Sequence, residues 1–162
     1  MKGKSGMFVL LAAFSHVAAG IVTQPIDGGG TALIVDGAAY TADETAALNG
    51  NTVEELWKTG TVTLVSSGIG SFTGIIRVKG GILQVADQAG LGTTAGATYV
   101  ESGATLEQTS YSDQLAEPVF LEGAGFGGVG AYYASNDTAK KSPGLSGKVT
   151  LTGDFFAVSL EA

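Results

Sequence analysis

The sequence predicts an all-β protein built as a solenoid, in which stacked coils bury one row of side chains between them. Three observations predict it. Residues 58–85 pack three short β-branched runs (61–65, 75–78 and 82–85) between turns at Gly68, Gly70, Gly74, Gly80 and Gly81. The composition has 26 glycines against 3 prolines, with only 14% charged residues and 44% hydrophobic ones. No three-residue glycine period is present, so collagen is excluded, and the density of Val, Ile and Thr argues against a disordered glycine-rich linker. Finally, the chain echoes itself: Val78-Lys-Gly-Gly-Ile-Leu83 is answered by Val100-Glu-Ser-Gly-Ala-Thr-Leu106, with 22 residues from Gly81 to Gly103. A second pair, Val119-Phe-Leu-Glu-Gly123 and Val149-Thr-Leu-Thr-Gly153, is 30 residues apart and spans an insertion at 132–143.

Periods of this size with no helix inside them point to coils that stack, since a single coil cannot bury its own apolar face. Val78, Leu83 and Val85 are expected to face inward and Arg77 outward. Gly74, Gly80 and Gly81 are expected at corners, where positive φ or close backbone approach is needed.

Residues 1–20 hold Lys2 and Lys4, an apolar run over 7–14, and the small residues Ala18, Ala19 and Gly20. That order is the pattern of a secretory signal peptide, and the run is too short for a permanent membrane anchor. Its removal would take away His16, the only histidine, and leave 6 basic against 15 acidic residues, a net charge of −9 in place of −7. An acidic surface repels phosphate backbones and anionic lipid, which argues against nucleic acid and membrane partners. With no cysteine, disulfides and thiolate sites are excluded.

Residues 21–57 read as an N-terminal strand and cap region. A strand at 31–35 ends in Asp36-Gly37. Asp27 and Asp36 sit beside glycines as calcium ligands would, but their spacing does not repeat, so they read as solvated turns. Residues 41–57 carry the only helical character: Thr41 or Asp43 is a candidate cap, and Thr52 with Glu55 resembles a capping box ahead of Leu56. Glu54 and Glu55 beside Trp57 suggest acid/base work or sugar stacking, against the plainer reading of solvated surface carboxylates. Residues 58–162 form the solenoid.

The chemical motifs are sparse. Gly123-Ala-Gly-Phe-Gly-Gly128 matches a dinucleotide-binding spacing but lacks the helix that such a site requires, so it reads as a corner. Asp113, Glu117 and Glu122 with Arg77 are the candidate set for a polysaccharide lyase, which pairs acidic calcium ligands with a basic proton abstractor. Without a histidine no Ser-His-Asp triad can form. Tyr132, Tyr133, Asn136 and Asp137, at the insertion, are the candidate binding surface for a carbohydrate or protein, the alternative being aromatics that cover the core.

The runs Trp57-Lys-Thr-Gly-Thr-Val-Thr-Leu64, Ser71-Phe-Thr-Gly74, Val78-Lys-Gly-Gly-Ile-Leu-Gln-Val85 and Ala89-Gly-Leu-Gly92 resemble the autotransporter-associated β-strand repeat. The resemblance spans about residues 56–156, with the repeat itself at 58–92. It implies a right-handed parallel β-helix, single-stranded and short, with a small helical or irregular N-terminal cap. The implied role is an exported structural segment of an autotransporter-like or adhesin-like surface protein, secreted or displayed by a Gram-negative-type bacterium. Such a segment has no catalytic residues, cofactor or metal, and its partners are a surface protein or a carbohydrate. Only one full repeat is present, its Lys-Gly to Leu spacing is two residues shorter than the common form, and no alternating strands of a membrane barrel follow it. The chain is then either a truncated passenger, with further coils or a barrel missing, or a small free-standing relative. The alternative is a carbohydrate-active, lyase-like enzyme on the same fold.

Overall fold

Leu33, Leu56, Ile76, Thr98 and Val119 are buried and lie in one row across five neighbouring strands, and Val35, Lys58, Val78, Val100 and Leu121 form a second buried row beside them. The residues between them face outward. This two-residue alternation, paired in register, builds the all-β architecture. The computed structural model describes residues 21–109, 114–134 and 144–154, and the backbone of 16–18 and 155.

The strands in chain order are β1 (His16–Ala18), β2 (Ile21–Pro25), β3 (Thr31–Val35), β4 (Glu55–Lys58), β5 (Leu64–Ser66), β6 (Ile75–Val78), β7 (Gly81–Val85), β8 (Ala97–Val100), β9 (Ala104–Gln108), β10 (Gln114–Leu115), β11 (Val119–Gly123), β12 (Tyr132–Ala134), β13 (Gly144–Leu145) and β14 (Val149–Phe155). The larger sheet has the order β1-β2-β3-β4-β6-β8-β11-β14, and a smaller one the order β12-β9-β7-β5. From β4 to β12 the chain passes repeatedly from the larger sheet to the smaller one and back. β1, β2 and β3 pair antiparallel. Every later pair in both sheets is parallel. β10 and β13 form a separate parallel pair. In the smaller sheet the inward row is Leu64, Leu83, Leu106 and Tyr132.

Helix α1 (Ala42–Asn49) starts at Thr41, whose hydroxyl accepts from Glu44 N while the Glu44 carboxylate accepts from Thr41 N, a full capping box. It adds Leu48 to the core. The second expected box, Thr52 with Glu55, does not form. Glu55 opens strand β4, paired with Ala32 and Ile75, and Thr52 donates to Ala47 O. The expected strand at 61–65 is also shorter, beginning at Leu64, with Val62 exposed. β1 falls inside the segment 1–20 expected to be a signal peptide.

Val78, Leu83 and Val85 are buried, as expected. Two of the expected corner glycines are forced by different constraints. Gly81 has φ +65, and a Cβ there would stand 2.7 Å from Gly60 O. Gly74 needs no positive φ, but a Cβ would lie 2.2 Å from Glu54 O, so the backbones leave no room for one.

Lys58 is the anomaly of the inward rows: it is fully buried between Val35 and Val78. Its Nζ donates to Thr59 O at 2.6 Å, Gly60 O at 3.1 Å and Gly80 O at 2.9 Å, so all three protons have an acceptor. Burial pushes its pKa below the ordinary lysine value, and Asp36 opposes that fall. The ammonium therefore holds the corner after β4 against the corner after β6.

Two stability outcomes are expected in urea denaturation followed by circular dichroism. Leu83→Asp or Val78→Asp introduces an unpaired charge into a closed row and unfolds the protein, whereas Glu101→Lys costs under about 1 kcal/mol, because its ion pair with Lys79, at 3.6 Å, is solvent-exposed. Lys58→Met keeps the stem but removes the donor that the Thr59, Gly60 and Gly80 carbonyls share. It lowers stability by about 2 kcal/mol, since that loss outweighs the relief of lysine desolvation.

Candidate binding face

The outward positions of the larger sheet carry the densest grouping of functional side chains. Trp57 on β4, Arg77 on β6, Tyr99 on β8, Phe120 on β11 and Thr150 on β14 are register partners in succession. They touch along that column. Lys79 Nζ lies 4.1 Å from the Trp57 ring centroid, and the Arg77 guanidinium lies 4.8 Å from that of Tyr99. Tyr99 and Phe120 stack at 4.4 Å with 6° between their planes.

Glu55 fixes the column from one side. Its carboxylate accepts from Arg77 Nε at 2.9 Å and Nη2 at 3.3 Å, and from Trp57 Nε1. Burial by itself raises the Glu55 pKa, but hydrogen bonds from Arg77 and Trp57 and the charges of Arg77 and Lys79 outweigh it and hold the carboxyl below its ordinary value. The group stays ionised at neutral pH.

Two open clefts flank the column. One, of about 440 Å³, is lined by Arg77, Tyr99, Glu101, Phe120, Glu122 and Thr152 among others. The other, of about 330 Å³, is lined by Gln24, Asp27, Glu55, Trp57, Arg77 and Lys79 among others. Aromatic edges beside carboxylates and hydroxyls suit a ligand rich in hydroxyl groups, which donate to carboxylates and pack their C–H faces on rings.

Arg77 and Glu122 share the first cleft, so two of the four lyase candidates meet. Arg77 is a poor proton abstractor there: a guanidinium does not deprotonate in a protein, and Glu55 holds it twice. Glu117 lies elsewhere, and Asp113 falls outside the described residues. No group of three or more metal-ligating side chains occurs among the described residues, and Asp27 and Asp36 do not gather into one. Gly123-Ala-Gly-Phe-Gly-Gly128 forms the end of β11 and a 3₁₀ turn at Phe126–Gly128, where Thr105 Oγ1 accepts from Phe126 N and donates to Gly130 O.

Tyr132 points inward at the end of the leucine row of the smaller sheet and packs on the core. Its hydroxyl donates to Gln108 Oε1 at 2.6 Å, and burial pushes its pKa up to about 12. Tyr133 is half-buried on the opposite face, in register with Glu107. Asn136 and Asp137 lie outside the described residues. The expected surface thus splits, with Tyr132 covering core. The aromatic column was missed, although its signal is in the sequence: positions 57, 77, 99 and 120 recur at nearly the interval that separates Gly81 from Gly103.

Glu117 is 4% exposed, and neither carboxyl oxygen has a hydrogen-bond partner; the nearby Thr98 hydroxyl is likewise unpartnered. Burial pushes the carboxyl up to about 8, offset in part by Thr98. The folded protein therefore holds a proton that the unfolded chain releases near 4.5. The stabilisation is complete below that value and is lost as the pH rises to about 8. Glu117→Gln should abolish this decline between pH 4.5 and 8 and be more stable than the parent at the upper end, by thermal melts across that range. No match to the chain was found among family models, curated proteins or solved structures.

Proposed function

We propose that the chain is a short right-handed parallel β-helix acting as an exported scaffold, and that its outward column serves as a contact face for a surface protein or a carbohydrate. The observation that carries the coil reading is the pair of parallel ladders traversed in the same order. β4, β6, β8 and β11 lie beside one another in one sheet, and β5, β7, β9 and β12, which follow each of them, do so in the other. A chain that winds once per ladder step produces this order, in keeping with the β-helix that the resemblance of residues 58–92 to the autotransporter-associated repeat implies. The handedness follows the strong preference of parallel crossovers.

The scaffold reading is favoured over a lyase by the state of Arg77. Its guanidinium is engaged by Glu55 and flanked by Tyr99, which makes it a structural member of the column. Export rests on the basic, apolar and small-residue order of residues 1–20. Further coils or a membrane barrel in the same protein fit the same role.

Expression with its own N-terminus in a Gram-negative host tests export. The expected product is an extracytoplasmic chain whose first residue, by mass spectrometry, lies near Ile21. An intact N-terminus on a cytoplasmic protein overturns the export reading. Incubation of the purified protein with acidic polysaccharides should yield no unsaturated uronate product, and formation of one overturns the scaffold reading in favour of the enzyme.

A further inference from the structure

Arg77 lines both clefts beside the outward column, so one extended ligand lying along the column fills the two together. The charged side chains lining them are Asp27, Glu55, Arg77, Lys79, Glu101 and Glu122, four carboxylates against two cations. Both cations are already engaged. Glu55 holds Arg77 at two atoms, and Lys79 lies over the Trp57 ring with Glu101 at 3.6 Å. Asp27 and Glu122, one in each cleft, are exposed and form no ion pair among the described residues. The face therefore presents two uncompensated negative charges, separated along the column by several ladder steps of about 4.8 Å each.

We infer that the ligand of this face is a polymer of amino sugars whose amines are free and protonated. Such a ligand presupposes that the column is a contact face, and adds the charge that the face selects. An ammonium group answers each unpaired carboxylate. Gln24, Ser102 and Thr152, which also line the clefts, are neutral hydrogen-bonding partners for the sugar hydroxyls. An acidic glycan is repelled by Asp27 and Glu122, and a neutral one leaves both without a counter-charge. A basic peptide carries the charge but not the fit. β4, β6, β8 and β11 are interior strands paired on both sides, so the face offers a peptide's backbone donors and acceptors no open ladder.

Calorimetric titration of the purified protein with a soluble glucosamine oligosaccharide tests this against its fully N-acetylated form, an oligogalacturonate and an oligolysine of matched length. The glucosamine oligomer should bind, more weakly as salt is raised, and the other three should bind at least about tenfold more weakly. Glu122→Gln and Asp27→Asn should each weaken it about fivefold, the upper end for an exposed charge pair, and together about twentyfold. Phe120→Leu removes a ring and no charge, and should weaken it with the circular dichroism spectrum unchanged. Glu107→Gln removes an acid from the outer face of the smaller sheet, and should leave the affinity as it was. Absence of binding, equal binding of the acetylated or acidic oligomer, or tighter binding of oligolysine overturns the inference. So does an equal loss in Glu107→Gln, since net charge alone would then explain the attraction. Binding of a neutral or acidic oligomer that Phe120→Leu abolishes overturns the ligand's charge and leaves the contact face standing; the face itself fails if Phe120→Leu weakens no probe.

Discussion

Backbone pairing in strict register governs this molecule: every strand of the parallel ladders places its inward side chain directly beneath the one before it. A parallel step fixes which residues meet, so the two buried rows of the larger sheet and the leucine row of the smaller one follow from hydrogen bonding before any side chain is considered. The side chains then have to comply. Leu, Val and Ile fill the rows, and where the chain turns, backbones come close enough that Gly74 and Gly81 have no room for a Cβ. Because each strand is covered only by its neighbours, stability is local and cumulative, and the terminal strands bear the consequences.

Lys58 and Glu117 enter this apolar interior under opposite conditions. Lys58 sits in an inward row and satisfies all three of its protons on carbonyls of two successive corners, so its charge is solvated by the fold and joins the repeats. Glu117 has only the Thr98 hydroxyl beside it, and burial keeps its proton on. The difference is geometric. A lysine stem of four methylenes carries Nζ to the corner carbonyls, whereas the Glu117 carboxylate stays within the packing beside Gly96 and Thr98.

Alternation and the echo between Val78 and Leu106 were legible in the sequence, and they located β6, β7, β8 and β9 and the inward direction of Val78, Leu83 and Val85. What could not be read depends on register between distant strands. The span 61–65 has strand composition throughout, yet Gly60 and Thr61 are occupied in the corner under Gly81, so pairing begins only at Leu64. Thr52 and Glu55 have capping-box spacing, but Glu55 is committed to Ala32 and Ile75 on either side. Tyr132 and Tyr133 look alike in sequence; the pairing of Tyr132 with Leu106 sends one inward and the other out. The column of Trp57, Arg77, Tyr99 and Phe120 is invisible one residue at a time, because its members are about a ladder step apart.

The same logic separates the two faces of the larger sheet in function. Inward positions are constrained by the row and tolerate little beyond apolar fill, so they cannot carry recognition. Outward positions are constrained only to sit above one another at the strand spacing, which is also close to the separation at which rings stack and guanidinium groups cover them. An aromatic or cationic residue at one outward position therefore favours a compatible one on the next strand. The Lys79–Trp57, Arg77–Tyr99 and Tyr99–Phe120 contacts form a rigid polar and aromatic surface as a by-product of the register that builds the core. Glu55, anchoring both Arg77 and Trp57, sets the orientation of that surface. A ladder that binds through such a column needs no moving part, since the scaffold that buries the inner rows has already fixed the outer one.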